Sequence, residues 1–202
     1  MMKFSLTSVF ILALVGCASQ PSVYYTLTAP AANQQLKSTA VVPTGLYSIV
    51  SVSVPAPVDD TLIIVRQSDD RLMKLAHDRW TAPLGKQFGN ALAVALTDEL
   101  GMPPISTTQA ALDAKVTNIS VDVQRFDLLP GQFAELAAVW QVSVGSIKTG
   151  SPNLICYTVV RQSVEPGVAP LVQAQQMNIQ KLAKAISLSL QTGQPYAGTQ
   201  CQ

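Results

Sequence analysis

The sequence predicts an α/β fold: a single-domain sandwich of a mixed, mainly antiparallel sheet with two main helices. Two stretches, 80–100 and 171–190, place apolar residues every third or fourth position, as an amphipathic helix requires. The other patterned segments are shorter, and they alternate or are rich in Val, Ile and Thr, as strands are. Their order, β, ββ, α, βββ, α, contains no internal repeat, which sets helices onto one mixed or mainly antiparallel sheet.

The chain opens with Lys3 and an apolar run from Phe4 to Val15. That run is too short to span a bilayer, which takes about 20 residues, and reads as the h-region of an export signal. It ends in Leu14-Val15-Gly16-Cys17, a pattern that resembles a bacterial lipobox. Small residues let the peptidase close on the extended backbone, and the Cys17 thiol accepts a diacylglyceryl group before cleavage frees its amine. The plainer alternative is an ordinary signal peptide with a chance cysteine. Residues 1–16 are therefore expected to be a signal peptide, 17–23 a lipidated tether, and 24–202 the folded domain. One acyl chain holds a protein only marginally, whereas a triacylated cysteine stays on its membrane. Ala18, and not aspartate, follows Cys17, a pattern that resembles export to the outer membrane.

After the tether, Tyr24–Leu27 reads as a short strand, and 29–44, rich in Ala, Gln, Ser, Thr and Pro, as a surface loop. Leu46–Val54 alternates at Val50, Val52 and Val54, a half-buried strand stopped by Pro55-Ala56-Pro57. Thr61–Arg66 and Arg71–Leu75 flank Ser68-Asp69-Asp70 as a hairpin. The first helix is expected over Trp80–Leu100, with Leu84, Phe88, Leu92, Leu96 and Leu100 in one stripe. Thr81 is its expected N-cap, Pro83 lies in its first turn, and Gly101 closes it. Val116–Phe126 and Phe133–Val144 read as long strands joined by Leu128-Leu129-Pro130-Gly131. In the second, Leu136, Ala138, Trp140, Val142 and Val144 form one face, opposite Glu135, Gln141 and Ser143. Leu154–Gln162 is a further strand. Leu171–Leu190 is the second helix, with Ile179, Leu182, Ile186 and Leu190 on its apolar side.

Composition narrows the function. Removing residues 1–16 leaves 186 residues, enough for one domain with a sizeable core. Lys3 departs with the signal, so 12 Lys+Arg face 12 Asp+Glu. Such a chain has no electrostatic footprint for nucleic acid and no polybasic patch for anionic lipid. With 48% apolar and 12% charged residues, sizeable uncharged surface is expected, and that favours a protein or lipid partner. With Cys17 assigned to lipid, Cys156 and Cys201 remain as one candidate disulfide in an oxidising compartment. The alternative is a buried thiol at Cys156 and a loose one in the tail.

Residue patterns that carry chemistry are few in this chain. His77 is the only histidine, beside Asp78, and reads as a helix-entry cap before it reads as a base. Neither G-x-S-x-G nor S-x-x-K is present, nor C-x-x-C or H-E-x-x-H, nor a glycine-rich strand-to-helix loop. Asp59-Asp60, Asp69-Asp70 and Asp98-Glu99 are adjacent acids, whereas calcium loops want alternating ones. Trp80 and Trp140 read as core, and Gln173, Gln175, Gln176 and Gln180 as the wet side of the last helix. No catalytic residue, metal or cofactor is expected.

With these residues in place, the chain resembles the PqiC (YmbA-like) family, the ABC-type transport auxiliary lipoproteins. The resemblance rests on Tyr24-Tyr25-Thr26-Leu27 soon after Cys17, the valine-rich strand running into Val54-Pro55, and Leu62-Ile63-Ile64-Val65-Arg66. Arg79-Trp80-Thr81-Ala82-Pro83-Leu84, Val121 to Asp127 and Ala138-Val139-Trp140 complete it. It implies a non-catalytic outer-membrane lipoprotein facing the periplasm. Its implied partner is an MCE-type (PqiB-like) periplasmic tunnel protein for phospholipid or other hydrophobic cargo, with that protein's inner-membrane subunit. A ring-like homo-oligomer around a tunnel end would suit such a role. The alternative from the residues alone is a lipoprotein that itself holds a lipid or peptide in an apolar groove. The tail after Thr192, with Cys201, matches no family motif.

Overall fold

The computed structural model describes residues 20–29, 45–68, 70–106, 116–144, 154–192 and 197–202. The expected signal 1–16, the lipidation position Cys17, the loop at 30–44 and Asp69 lie outside them. The strands are β1 (Val23–Tyr25), β2 (Tyr47–Ser53), β3 (Leu62–Arg66), β4 (Leu72–Trp80), β5 (Thr117–Leu129), β6 (Phe133–Val144), β7 (Leu154–Ser163) and β8 (Thr199–Cys201). The helices are α1 (Leu84–Leu100) and α2 (Val168–Thr192), and a single 3-10 turn covers Ala56–Val58. This is the expected α/β domain with two helices, but the strands divide into two sheets. Five run in the order β2-β5-β6-β7-β8, and three in the order β1-β4-β3. Both sheets are mixed: β2 lies parallel to β5 and β1 parallel to β4, while the other pairs are antiparallel.

α1 and α2 pack against each other, α1 beside β2 and α2 across β6 and β7. The inner face of the large sheet is read off its register. Val121, Trp140 and Cys156 line up across β5, β6 and β7, as do Phe126, Leu136 and Val160, and all six are buried. Leu84, Phe88, Leu92, Leu96 and Leu100 of α1 close over this layer at 1% exposure or less. Removing one such side chain would cost about 2–5 kcal/mol. Phe126 joins the two sheets. Its ring meets Trp80 of β4 and Phe88 of α1 edge to face, at centroid distances of 6.4 and 6.5 Å.

Several elements depart from the sequence expectation. Trp80 ends β4 and does not begin α1, and His77 and Asp78 lie inside that strand and are not a helix entry. Residues 72–80 are extended because β1 and β3 pair with them from both sides, which outweighs local propensity. α1 starts at Leu84, and Thr81 does not cap it: its hydroxyl accepts a hydrogen bond from Gln87 Nε2. Asp59 serves the helix start instead, accepting from the Gly85 N–H at 2.9 Å. The alternation of β2 is interrupted by a register shift between Ile49 and Ser51. β5 runs on through Leu128 and Leu129, with an irregularity between Val123 and Arg125, so the turn begins only at Pro130. Gly101, at φ 75°, ends α1 as expected, its N–H bonded to the Thr97 carbonyl at 2.8 Å.

Candidate interaction surfaces

The helices cover one face of the five-stranded sheet. Its other face carries the opposite parity of each strand, and on β7 that parity is Ile155, Tyr157 and Val159. These are 42%, 41% and 36% exposed. Beside them on β6 stand Gln141, Val139 and Ala137, which pair in that order with Ile155, Tyr157 and Val159. The strip ends in a charged cluster. Glu135, buried on this outer face, accepts from Arg125 Nη1 at 2.7 Å and from Arg161 Nε at 2.6 Å. Burial pushes its carboxyl up, but the two guanidinium hydrogen bonds outweigh that and hold it below the usual carboxylate range. Arg161 also covers the Phe133 ring at 3.8 Å. Asp127 takes both Nε and Nη2 of Arg66, at 3.0 and 2.8 Å, which ties β3 to β5.

A cleft of about 310 Å³ lies between α1 and β2, with Gly85, Gly89 and Ala93 on the helix side and Ile49–Val52 on the strand side. The glycines let the helix approach: a Cβ at Gly85 would stand 3.4 Å from Asp59 Oδ1 and from Val54 Cγ2.

The N-terminal segment is locked down. The Thr26 hydroxyl and the Leu27 N–H both donate to Gln87 Oε1, at 3.1 and 3.2 Å, and Gln176 Nε2 donates to the Thr26 carbonyl at 2.9 Å. Leu27 itself is 1% exposed. The folded chain is therefore gripped by both helices from Thr26 onward.

Cys156 and Cys201 are opposed residues of β7 and β8. The flanking pair Ile155 and Gln202 exchanges both backbone hydrogen bonds, which makes 156 and 201 a closely spaced non-hydrogen-bonded pair. Their Cα atoms are 4.0 Å apart and the sulfurs are bonded, on the inner, helix-covered face. The described end of the tail thus carries β8 (Thr199–Cys201), an edge strand of the large sheet.

Sequence reasoning missed the glutamines of α2. Gln175 is fully buried, its amide donating to the carbonyls of Asp127 and Glu135 at 3.1 and 3.0 Å, and Asn178 does the same for Ala134 at 3.2 Å. Gln173 and Gln180 are exposed as expected. Trp80 and Trp140 are core residues at 2% and 0% exposure, and Trp140 Nε1 donates to Thr158 Oγ1 at 2.9 Å. Asp60 is held down to about 2, first by the Leu62 N–H and then by Lys74. Among the described residues there is no group of three or more His, Cys, Asp or Glu placed to hold a metal ion. None of their helices is long and apolar enough to cross a membrane.

Taken together, these features define an α/β domain whose ionisable groups stitch strands to one another and whose open sheet face is partly apolar. The model of the ABC-type transport auxiliary lipoprotein component family matches residues 25–187, and the chain belongs to that family. Several solved structures share the fold. One, a crystal structure of an uncharacterized protein, superposes with a TM-score of 0.61 at 14% identity, over 85% of this chain and 99% of its own. Another, from Xanthomonas campestris and assigned to the DUF330 family, gives 0.58 at 13% identity, over 86% and 94%. No curated protein is detectably similar in sequence.

Proposed function

We propose that the chain is a non-catalytic outer-membrane lipoprotein, a PqiC-like subunit of an MCE-type envelope lipid-transport system. In this reading Cys17 carries the acyl groups, the domain faces the periplasm, and it docks the PqiB-like tunnel protein that is served by an inner-membrane subunit. The observation that carries the reading is the open outer face of the large sheet, where Ile155, Tyr157 and Val159 stand exposed in a row. Family membership supplies the context of a transport auxiliary lipoprotein. A large aromatic flanked by β-branched residues, with a rim of paired charges, is the composition of a protein contact.

The test is a photocrosslinking residue at Tyr157, compared with one at Gln173 on the exposed side of α2. Capture of the MCE protein from Tyr157 and not from Gln173 supports the reading. Failure from both, with the lipoprotein correctly localised, overturns it. The cleft between α1 and β2 favours a second reading, in which the domain itself holds a small apolar ligand or peptide. At about 310 Å³ it stands at the lower bound of small-ligand sites, about 300–1,000 Å³. Native mass spectrometry of a version lacking Cys17 decides: a copurifying lipid or peptide supports the second reading, and a bare chain removes it.

A further inference from the structure

We infer that the β3–β4 hairpin end of the three-stranded sheet is the surface the domain lays on the bilayer, an orientation that rests on lipidation at Cys17. β1 is parallel to β4, with Tyr24 opposite Arg79, so the chain enters β1 from the side on which β4 begins, at Leu72. The distance between those levels is set by β3, whose Leu62 pairs with Arg79 and whose Arg66 pairs with Leu72. Four strand steps measure about 13 Å. Cys17 stands seven residues before Tyr24, and a fully extended chain of that length reaches about 25 Å. The chain turns back after Arg66, with the Gln67 N–H bonded to the Arg71 carbonyl at 2.8 Å, and this end projects into the difference. Even a taut tether therefore leaves the hairpin tip within a headgroup layer of the membrane, and any slack brings it into contact. The tether has no second origin farther along the chain, because the grip of Gln87 and Gln176 begins at Thr26.

The surface at that end suits a lipid interface. Among the described residues, nine large apolar side chains are exposed, and four of them belong to this small sheet: Val23, Tyr24, Leu72 and Met73. The last two, each 42% exposed, begin β4 directly after the turn. Arg66 on the same hairpin is paired with Asp127 and lies 3.8 Å from Asp70. Asp70 leads the turn, its side chain 92% exposed, and stays among the headgroups, so the apolar contact falls to Leu72 and Met73 with Tyr24 behind them, and no anionic lipid is called for. The other exposed cluster, Ile155, Tyr157 and Val159, belongs to the five-stranded sheet.

The experiment uses the full lipidated chain in vesicles of phosphatidylethanolamine and phosphatidylcholine. An environment-sensitive fluorophore is placed on Met73→Cys, on Leu72→Cys, and on Tyr157→Cys as comparator. Lipids spin-labelled near the headgroup should quench the labels at 72 and 73 about twofold, as burial of 5–10 Å would produce, and leave 157 bright. Two substitutions at adjacent positions guard against one that disturbs the fold, which circular dichroism monitors. Flotation with the vesicles and a bright label at both 72 and 73 overturns the orientation alone. Quenching at 157 equal to that at 73 overturns it as well. A chain that does not float, with an unmodified Cys17 by mass spectrometry, overturns the lipoprotein reading and the orientation with it.

Discussion

Reducing the bond between Cys156 and Cys201 should cost a quarter or more of the domain's margin of stability. The two residues are 45 apart in sequence, and the enclosed segment contains the whole of α2. In the chain-entropy description a closed loop of about 15 residues contributes about 3 kcal/mol and one of about 100 residues about 4.7, which places this loop at about 4 kcal/mol. Domains of this kind have about 5–15 kcal/mol in total. The native state adds little to offset the loss, since β8 has only three residues and one neighbouring strand. The assay is urea unfolding of a version lacking Cys17, followed by tryptophan fluorescence, with and without reductant and in the Cys156→Ala/Cys201→Ala pair. With a slope of about 2–3 kcal/mol/M, the midpoint should fall by about 1.3–2 M in both cases. Equal midpoints, or free thiols in the denatured unreduced protein, would show that this crosslink does not hold the domain's stability.

Trp140→Phe removes the donor to Thr158 from a fully buried site and should cost about 2 kcal/mol, a melting point lower by about 4–8 °C. Gln87→Ala leaves the Thr26 hydroxyl and the Leu27 N–H without their acceptor; hydrogen exchange at the Leu27 amide should accelerate, with an unchanged rate counting against the grip described above. Gly198→Ala meets both a φ of 80° and the Val159 carbonyl oxygen 2.9 Å from the new Cβ. A loss of about 2 kcal/mol and partial thiol reactivity at Cys201 are expected. Asp60, lowered to about 2 from 3.8, contributes stability that is fully present above its ordinary range and is lost as pH falls from about 4 through 2. Melting points of the native chain and Asp60→Asn should therefore converge over that window, and parallel curves would contradict the assignment.

How far the sequence was readable depends on where each residue's partners lie. The α1 stripe from Leu84 to Leu100 and the alternation of β6 from Leu136 to Val142 are local patterns, and the structure keeps both. The last residues of β4 carry no such pattern, because Asp78, Arg79 and Trp80 are extended through pairing with β1, more than fifty residues earlier. Gln175 looked wet for the same reason: the carbonyls that its amide satisfies lie 48 and 40 residues away. Alternation in β7 separated Cys156, Thr158 and Val160 from Ile155, Tyr157 and Val159. It did not say which set the helices would cover, since both sets are largely apolar. The outer face was thus invisible until both helices were placed.

The parallel pairing of β1 with β4 also sets how the domain responds to tension. A pull on the amino end along the strand drags β1 lengthwise past its neighbour, so every bond between Val23–Tyr25 and Asp78–Trp80 is loaded together and none opens ahead of the others. Immediately behind them Gln87 and Gln176 hold Thr26 and Leu27 from two helices. Force entering at that end is therefore shared between α1 and α2 and does not fall on the three-residue strand alone.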